Sequence, residues 1–103
     1  KEVYIHNDLR EYIVDIVNAT RKSADIAMGV SPRGTLAFVN AVRAYALVSG
    51  RDYVTPEDIK ALAVPVLAHR IILQRGRVGA KGSDAKILEI LAEIKVPTEE
   101  WNK

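Results

Sequence analysis

The stretch MGVSPRGTLAFVNAVRAYALVSG, residues 28–50, holds both ends of one long helix, and the rest of the chain is best read outward from it. Gly29 and Gly34 stand at the spacing of a phosphate-binding loop, G-x-x-x-x-G-K-[ST], but Thr35 occupies the lysine position. A loop of that kind would lack its cation for the outer phosphates. A helix start fits better: Ser31 offers an N-cap oxygen, and Pro32 sits at the first helical position, where its missing N–H costs nothing. Gly50 suits the left-handed position just past the helix end. Arg33 then falls in the first turn, where unpaired N–H groups and the positive dipole end attract anions and disfavour a cation by about 0.3–1 kcal/mol. A phosphate bound from outside would offset that penalty. The alternative is an arginine extended into water.

Between Thr35 and Val48 only Asn40 and Arg43 are strongly polar. At 100° per residue, Arg33, Asn40 and Arg43 share one side, with Ala37 and Ala44 between them. A helix otherwise apolar all round is expected at the centre of its domain, its polar strip facing water or a partner.

Upstream, Leu9, Tyr12, Ile13, Ile16, Val17 and Thr20 recur at helical spacing. Asp8 and Glu11 form a D-x-x-E capping box, and Arg21 and Lys22 complement the far end of the dipole. Residues 23–30 read as a connector. Downstream, Thr55, Pro56 and Asp58 start a third helix over residues 56–63, which Pro65 is expected to interrupt. Residues 66–73 make either another helical turn or a strand at 71–73, and residues 3–5 could pair with that strand. Residues 75–82, with Arg75, Arg77 and Lys81 among glycines, have the composition of a mobile basic loop. Ser83 caps a last helix whose Ile87, Ile90, Leu91 and Ile94 oppose Lys86, Glu89 and Glu93, and Pro97 stops it. The expected fold class is mainly α, a small bundle of about four helices.

With 103 residues, 49% hydrophobic and 27% charged, the chain fits one folded domain. The net charge of +2 is weak evidence for a nucleic-acid partner. The absence of cysteine excludes disulfides, thiolate metal sites and cysteine catalysis, and makes a reducing cytoplasm the simplest compartment. No apolar run approaches a membrane span. The chain opens at Lys1 inside an alternating segment, KEVYIH, as a piece cut from something longer would. His6 and His69 sit in no catalytic or metal-ligand pattern, and His69 reads as a half-buried residue bonding a carbonyl. Asn18-Ala19-Thr20 matches a glycosylation sequon inside a predicted helix, where it reads as coincidence.

The segment GVSPRG, the alanine-rich helix, GRDYV, the T-P-E-D helix start and VLAHR together resemble the C-terminal lid domain of the MoxR family of AAA+ ATPases. Gly29, Ser31, Pro32, Arg33, residues 50–54, Pro56, Asp58, Val66, Leu67, His69 and Arg70 match its pattern; Val30 replaces an alanine. The resemblance extends over nearly the whole chain. It implies a helical lid domain, residues 1–103, of a longer chaperone-like ATP hydrolase. In it Arg33 would be the sensor-2 residue, supported by the cap of Ser31 and Pro32, and would reach the phosphates of ATP held with Mg by a core domain of the same chain. The implied partners are that ATPase core, neighbouring subunits of a homo-oligomeric ring, and proteins with von Willebrand factor A domains. The fragment itself, lacking the phosphate loop, is expected to be inactive, with no catalytic residue and no metal site. Arg51, Asp52, His69 and Arg70 are expected to fix helix ends and packing.

The alternative is a small nucleic-acid-binding module in which the second and third helices form a helix-turn-helix. Residues 56–63 would then read bases, but they carry Lys60 alone against Glu57 and Asp58, so the electrostatics oppose it.

Overall fold

The stripe Leu9, Tyr12, Ile13, Ile16, Val17 and Thr20 forms the inner face of helix α1 (Asn7–Lys22), and all six residues are buried. In the computed structural model, which describes residues 2–74, 82–98, 100 and 101, β1 (Ile26–Met28), α2 (Pro32–Val48) and α3 (Pro56–Leu67) follow. A 3-10 turn (Ala68–Arg70), β2 (Ile72–Leu73) and α4 (Ser83–Glu93) complete the chain. The expected mainly helical bundle of four helices is present. The basic glycine-rich loop expected at 75–82 lies, apart from Gly82, outside the described residues.

Phe38, Val42 and Ala46 of α2 meet Ile59, Ala63 and Leu67 of α3, and Ile87 and Ile90 of α4 join them to the α1 stripe in one core. Burial of this contiguous apolar surface drives folding. Helix α2 is less central than its composition suggests. Only Gly34, Phe38, Val42 and Ala46 are buried, while Leu36, Tyr45, Leu47 and Val48 are exposed. One stripe satisfies the packing against α3, and on another face Arg43, Ala44 and Leu47 line a recess with Glu2 and Val3. The helix ends as expected: Gly50 has φ +88°, its N–H donates to Leu47 O, and the Arg51 N–H donates to Ala46 O at 3.0 Å, a Schellman ending.

Five local expectations are corrected. Helix α1 starts one residue earlier than Asp8, because His6 Nδ1 accepts from the Asp8 N–H at 3.0 Å and His6, not Asp8, is the N-cap. Helix α3 runs through Pro65 to Leu67. The missing proline N–H frees only the carbonyl of exposed Ala61, while buried Ala63 and Leu67 hold the last turn on the core. Strand 72–73 exists, but its antiparallel partner is β1, in the segment expected to be a connector, with Ile26 opposite Leu73 and Met28 opposite Ile72. Residues 3–5 instead bury Val3 and Ile5 and meet the turn after α2: Tyr4 N–H donates to Asp52 O at 2.8 Å, and Val54 N–H to Tyr4 O at 2.9 Å. In α4 the N-cap is Gly82, not Ser83. Lys86, expected on the solvent face, is buried, with Nζ 2.7 Å from Asp25 Oδ2 and 3.2 Å from Glu89 Oε1.

Candidate functional site

The end of α1 grips the backbone of Val30 at both of its polar groups. Val30 N–H donates to Thr20 Oγ1 at 3.0 Å, and Val30 O accepts from Arg21 Nε at 2.8 Å. The Thr20 hydroxyl in turn donates to Val17 O at 2.6 Å, so this fully buried group is satisfied as donor and acceptor. Gly29 allows the close approach: a Cβ there would stand 2.8 Å from backbone atoms of Thr20 and Arg21. Sequence reasoning placed Thr20 in an apolar stripe and missed this clip. The available signal was a hydroxyl at a core position in the last turn of a helix, a group that must find a partner.

The clipped peptide leads directly into the start of α2. Ser31 Oγ accepts from the Gly34 N–H at 3.1 Å, Ser31 O accepts from the Thr35 N–H at 2.9 Å, and Pro32 opens the helix, as its sequence predicts. Arg33 is exposed in this first turn, which contains no acidic residue. Among the described residues it makes no hydrogen bond and no ion pair. Its guanidinium is therefore uncommitted, at the positive end of the α2 dipole, which favours anions.

Arg70 arrives at the same turn from the 3-10 segment after α3. Its stem lies against Gly34, where an added Cβ would be 3.2 Å from Arg70 Cδ and 2.9 Å from Val30 Cγ1. Arg70 is exposed and likewise has no polar partner among the described residues. Three elements thus deliver Arg21, Arg33 and Arg70 to the segment from Val30 to Gly34. An absent Cβ, a capped helix start and two uncommitted guanidiniums fit an anion such as a phosphate.

Arg51 and Asp58 are committed to each other. Arg51 Nη1 and Nη2 lie 2.7 Å from Asp58 Oδ2 and Oδ1, and Nη1 also donates to Tyr53 O at 3.0 Å. Asp58 Oδ2 accepts from the Thr55 N–H at 2.8 Å, which anchors the start of α3. Burial alone would raise the Asp58 pKa, but the Arg51 guanidinium and the Thr55 amide outweigh it and hold the carboxyl below the usual range. His69 is exposed rather than half-buried, and makes no hydrogen bond among the described residues, because the 3-10 turn carries it outward. No cluster of metal ligands occurs among the described residues. A groove of about 720 Å³ lined by His6, Glu57, Pro97 and Trp101 has no lysine or arginine among its described lining residues, and Glu57 makes it a poor match for an anion.

A family model of the AAA lid domain matches residues 18–90. The uncharacterized protein YeaC of Bacillus subtilis is 40% identical over 100 residues, covering 96% of this chain and 31% of YeaC. The chaperone MoxR1 of Mycobacterium tuberculosis is 40% identical over 79 residues, covering 68% of this chain and 21% of its own length. The crystal structure of a putative ATPase from Cytophaga hutchinsonii superposes with a TM-score of 0.84 at 31% identity, over 94% of this chain and 32% of that one. The chain thus spans about a third or less of the length of these relatives. A four-helix fold shared with an ATPase's segment, a family match over most of the chain and relatives named MoxR agree: the chain belongs to the AAA lid domain family, as a lid of the MoxR type of AAA+ ATPase.

Proposed function

We propose that this lid closes over a nucleotide held by an ATPase core and that Arg33 is its sensor-2 residue, contacting the terminal phosphates. The observation that carries this reading is the exposed guanidinium of Arg33, without a polar partner among the described residues, in the first turn of a helix whose entry is clipped at Val30. The clip spares the site part of the reorganisation that would otherwise accompany ligand binding. ATP, with Mg held by the core, supplies the hydrolysable bond. The role of this chain is to place a cation where negative charge builds up and to exclude water on closure. A guanidinium carries N–H donors and no acceptor, so Arg33 is not a general base.

On this reading, nucleotide state sets the lid angle, and lid rotation is transmitted to neighbouring subunits of a homo-oligomeric, chaperone-like ring in the cytoplasm. Proteins with von Willebrand factor A domains are the proposed partners of such a ring. Among the described residues no helix is long and apolar enough to cross a membrane. The isolated chain is expected to hydrolyse no ATP, because the phosphate loop belongs to the core. A nucleic-acid module gains no support at α3, whose first turn carries Glu57 and Asp58.

The test is Arg33→Ala in the full-length ATPase. Loss of a charge-stabilising donor should lower kcat by about tenfold or more. Unchanged kcat and KM, together with normal lid closure, would refute the assignment.

A further inference from the structure

Arg51 shows how this fold treats an arginine with a structural role, because its donors are spent on a carboxylate and a carbonyl. Arg70 is treated differently. Its stem is positioned against Gly34, next to Arg33 in the chain, yet its head has no polar partner among the described residues. Gly34 adds to the contrast. A methyl group there would press on Arg70 Cδ and on Val30 Cγ1, so the bare backbone leaves Arg70 room beside the first turn of α2. Meanwhile Arg21, engaged through Nε with Val30 O, adds a third positive charge to a helix end that is already positive.

Among the described residues no carboxylate pairs with Arg33 or Arg70, and a bound anion would supply the missing counter-charge. A triphosphate carries more negative charge than one guanidinium neutralises, and its oxygens match the planar fork of a second. We propose that Arg70 is a second phosphate-contacting residue of this site, acting with Arg33 on a bound nucleoside triphosphate. This rests on the reading of Arg33 given above. A ligand held by both residues bridges α2 and the turn that follows α3, so loss of the terminal phosphate releases one element from the other.

The experiment uses the full-length ATPase with fluorescent N-methylanthraniloyl derivatives of ATP and ADP, comparing Arg33→Ala, Arg70→Gln, Arg70→Lys and the Arg33→Ala/Arg70→Gln pair. Gln keeps much of the stem that packs on Gly34 but removes the charge. Arg70→Gln should weaken the ATP derivative about tenfold, the range of one charged hydrogen bond, and the ADP derivative far less. Arg70→Lys should recover part of the loss. The pair should lose less than the product of the two single losses, because both residues hold one ligand. Wild-type ATP affinity in Arg70→Gln, alongside a defect in Arg33→Ala, overturns the role of Arg70 alone. Equal losses for ATP and ADP with a lowered Tm also overturn it, marking Arg70 as structural. Wild-type affinity in Arg33→Ala overturns the parent reading, and the assignment of Arg70 falls with it.

Discussion

The hydroxyl of Thr20 accepts the amide proton of Val30 at 3.0 Å, across ten residues of sequence, and thereby fastens the entry of α2 to the exit of α1. Arg21 Nε donates to the carbonyl of the same residue, in the next peptide group. The orientation of Arg33 is thus inherited from the last turn of a different helix.

Thr20→Val, nearly isosteric, leaves the buried Val30 N–H without a partner. It should destabilise the chain by about 1–3 kcal/mol, seen as a lower urea midpoint at unchanged m. Thr20→Ser should retain most of the stability. A Val variant as stable as the wild type would show that the hydrogen bond contributes nothing.

Gly29→Ala and Gly34→Ala should differ in severity. At position 29 the new methyl meets backbone at 2.8 Å, which cannot give way without moving the end of α1. At position 34 it meets Val30 Cγ1 at 2.9 Å and Arg70 Cδ at 3.2 Å, and of these the flexible Arg70 stem can turn aside while buried Val30 must shift slightly. Alanine also favours the helix by up to about 1 kcal/mol, which offsets part of the cost at position 34. Thermal denaturation should rank Gly29→Ala well below Gly34→Ala, and the reverse order would contradict the close approaches at both glycines.

The Arg51–Asp58 pair makes a signed prediction about acid. Because the folded pKa of Asp58 lies below its unfolded value of about 3.9, the pair contributes stability above that pH and loses it as the pH falls through the folded pKa. Asp58→Asn should therefore be less stable than the wild type at neutral pH, by about 1–3 kcal/mol. The gap should close as the pH is taken from about 4 downward. A gap independent of pH would assign the loss to packing.

Lys86 makes the opposite prediction. Its hydrogen bond to Asp25 raises its pKa, against the effect of burial. Its contribution is complete below the unfolded value of about 10.4 and is lost as the pH rises through the folded one. Lys86→Met fills a similar volume, and the Asp25 side chain that loses the ammonium is already 35% exposed. Such a change should cost no more than about 1–2 kcal/mol at pH 7, and the difference should shrink at strongly alkaline pH. A larger loss would show that the ion pair matters to folding beyond its volume.

The helices are legible in the sequence because their signals are local. The inner residues of α1 follow a 3.6-residue period, and Ser31, Pro32 and Gly50 mark the two ends of α2 through hydrogen bonds that close within six residues. Arg33 falls in the first turn for the same reason. Sequence and structure part where a competing local signal is outweighed: Pro65 points to a stop, but core packing of Ala63 and Leu67 carries α3 past it. His6 displaces Asp8 as N-cap because an imidazole nitrogen serves as an acceptor as well as a carboxylate does.

Nothing in the spacing of Ile26 to Met28 marks a strand, since three residues acquire extended pairing only when Ile72 and Leu73 are brought alongside. Composition likewise suggests that α2 is surrounded, whereas it buries one stripe and leaves Leu36, Leu47 and Val48 outside. Amino-acid order alone settled the helical class, both ends of α2 and the residue chemistry at position 33, because each depends on neighbours a few bonds away. Folding in three dimensions decided that Thr20 and Arg21 hold Val30, that Arg70 lies over Gly34 and that Lys86 is buried. Those contacts join distant segments, and their energies exist only once the core has closed around them.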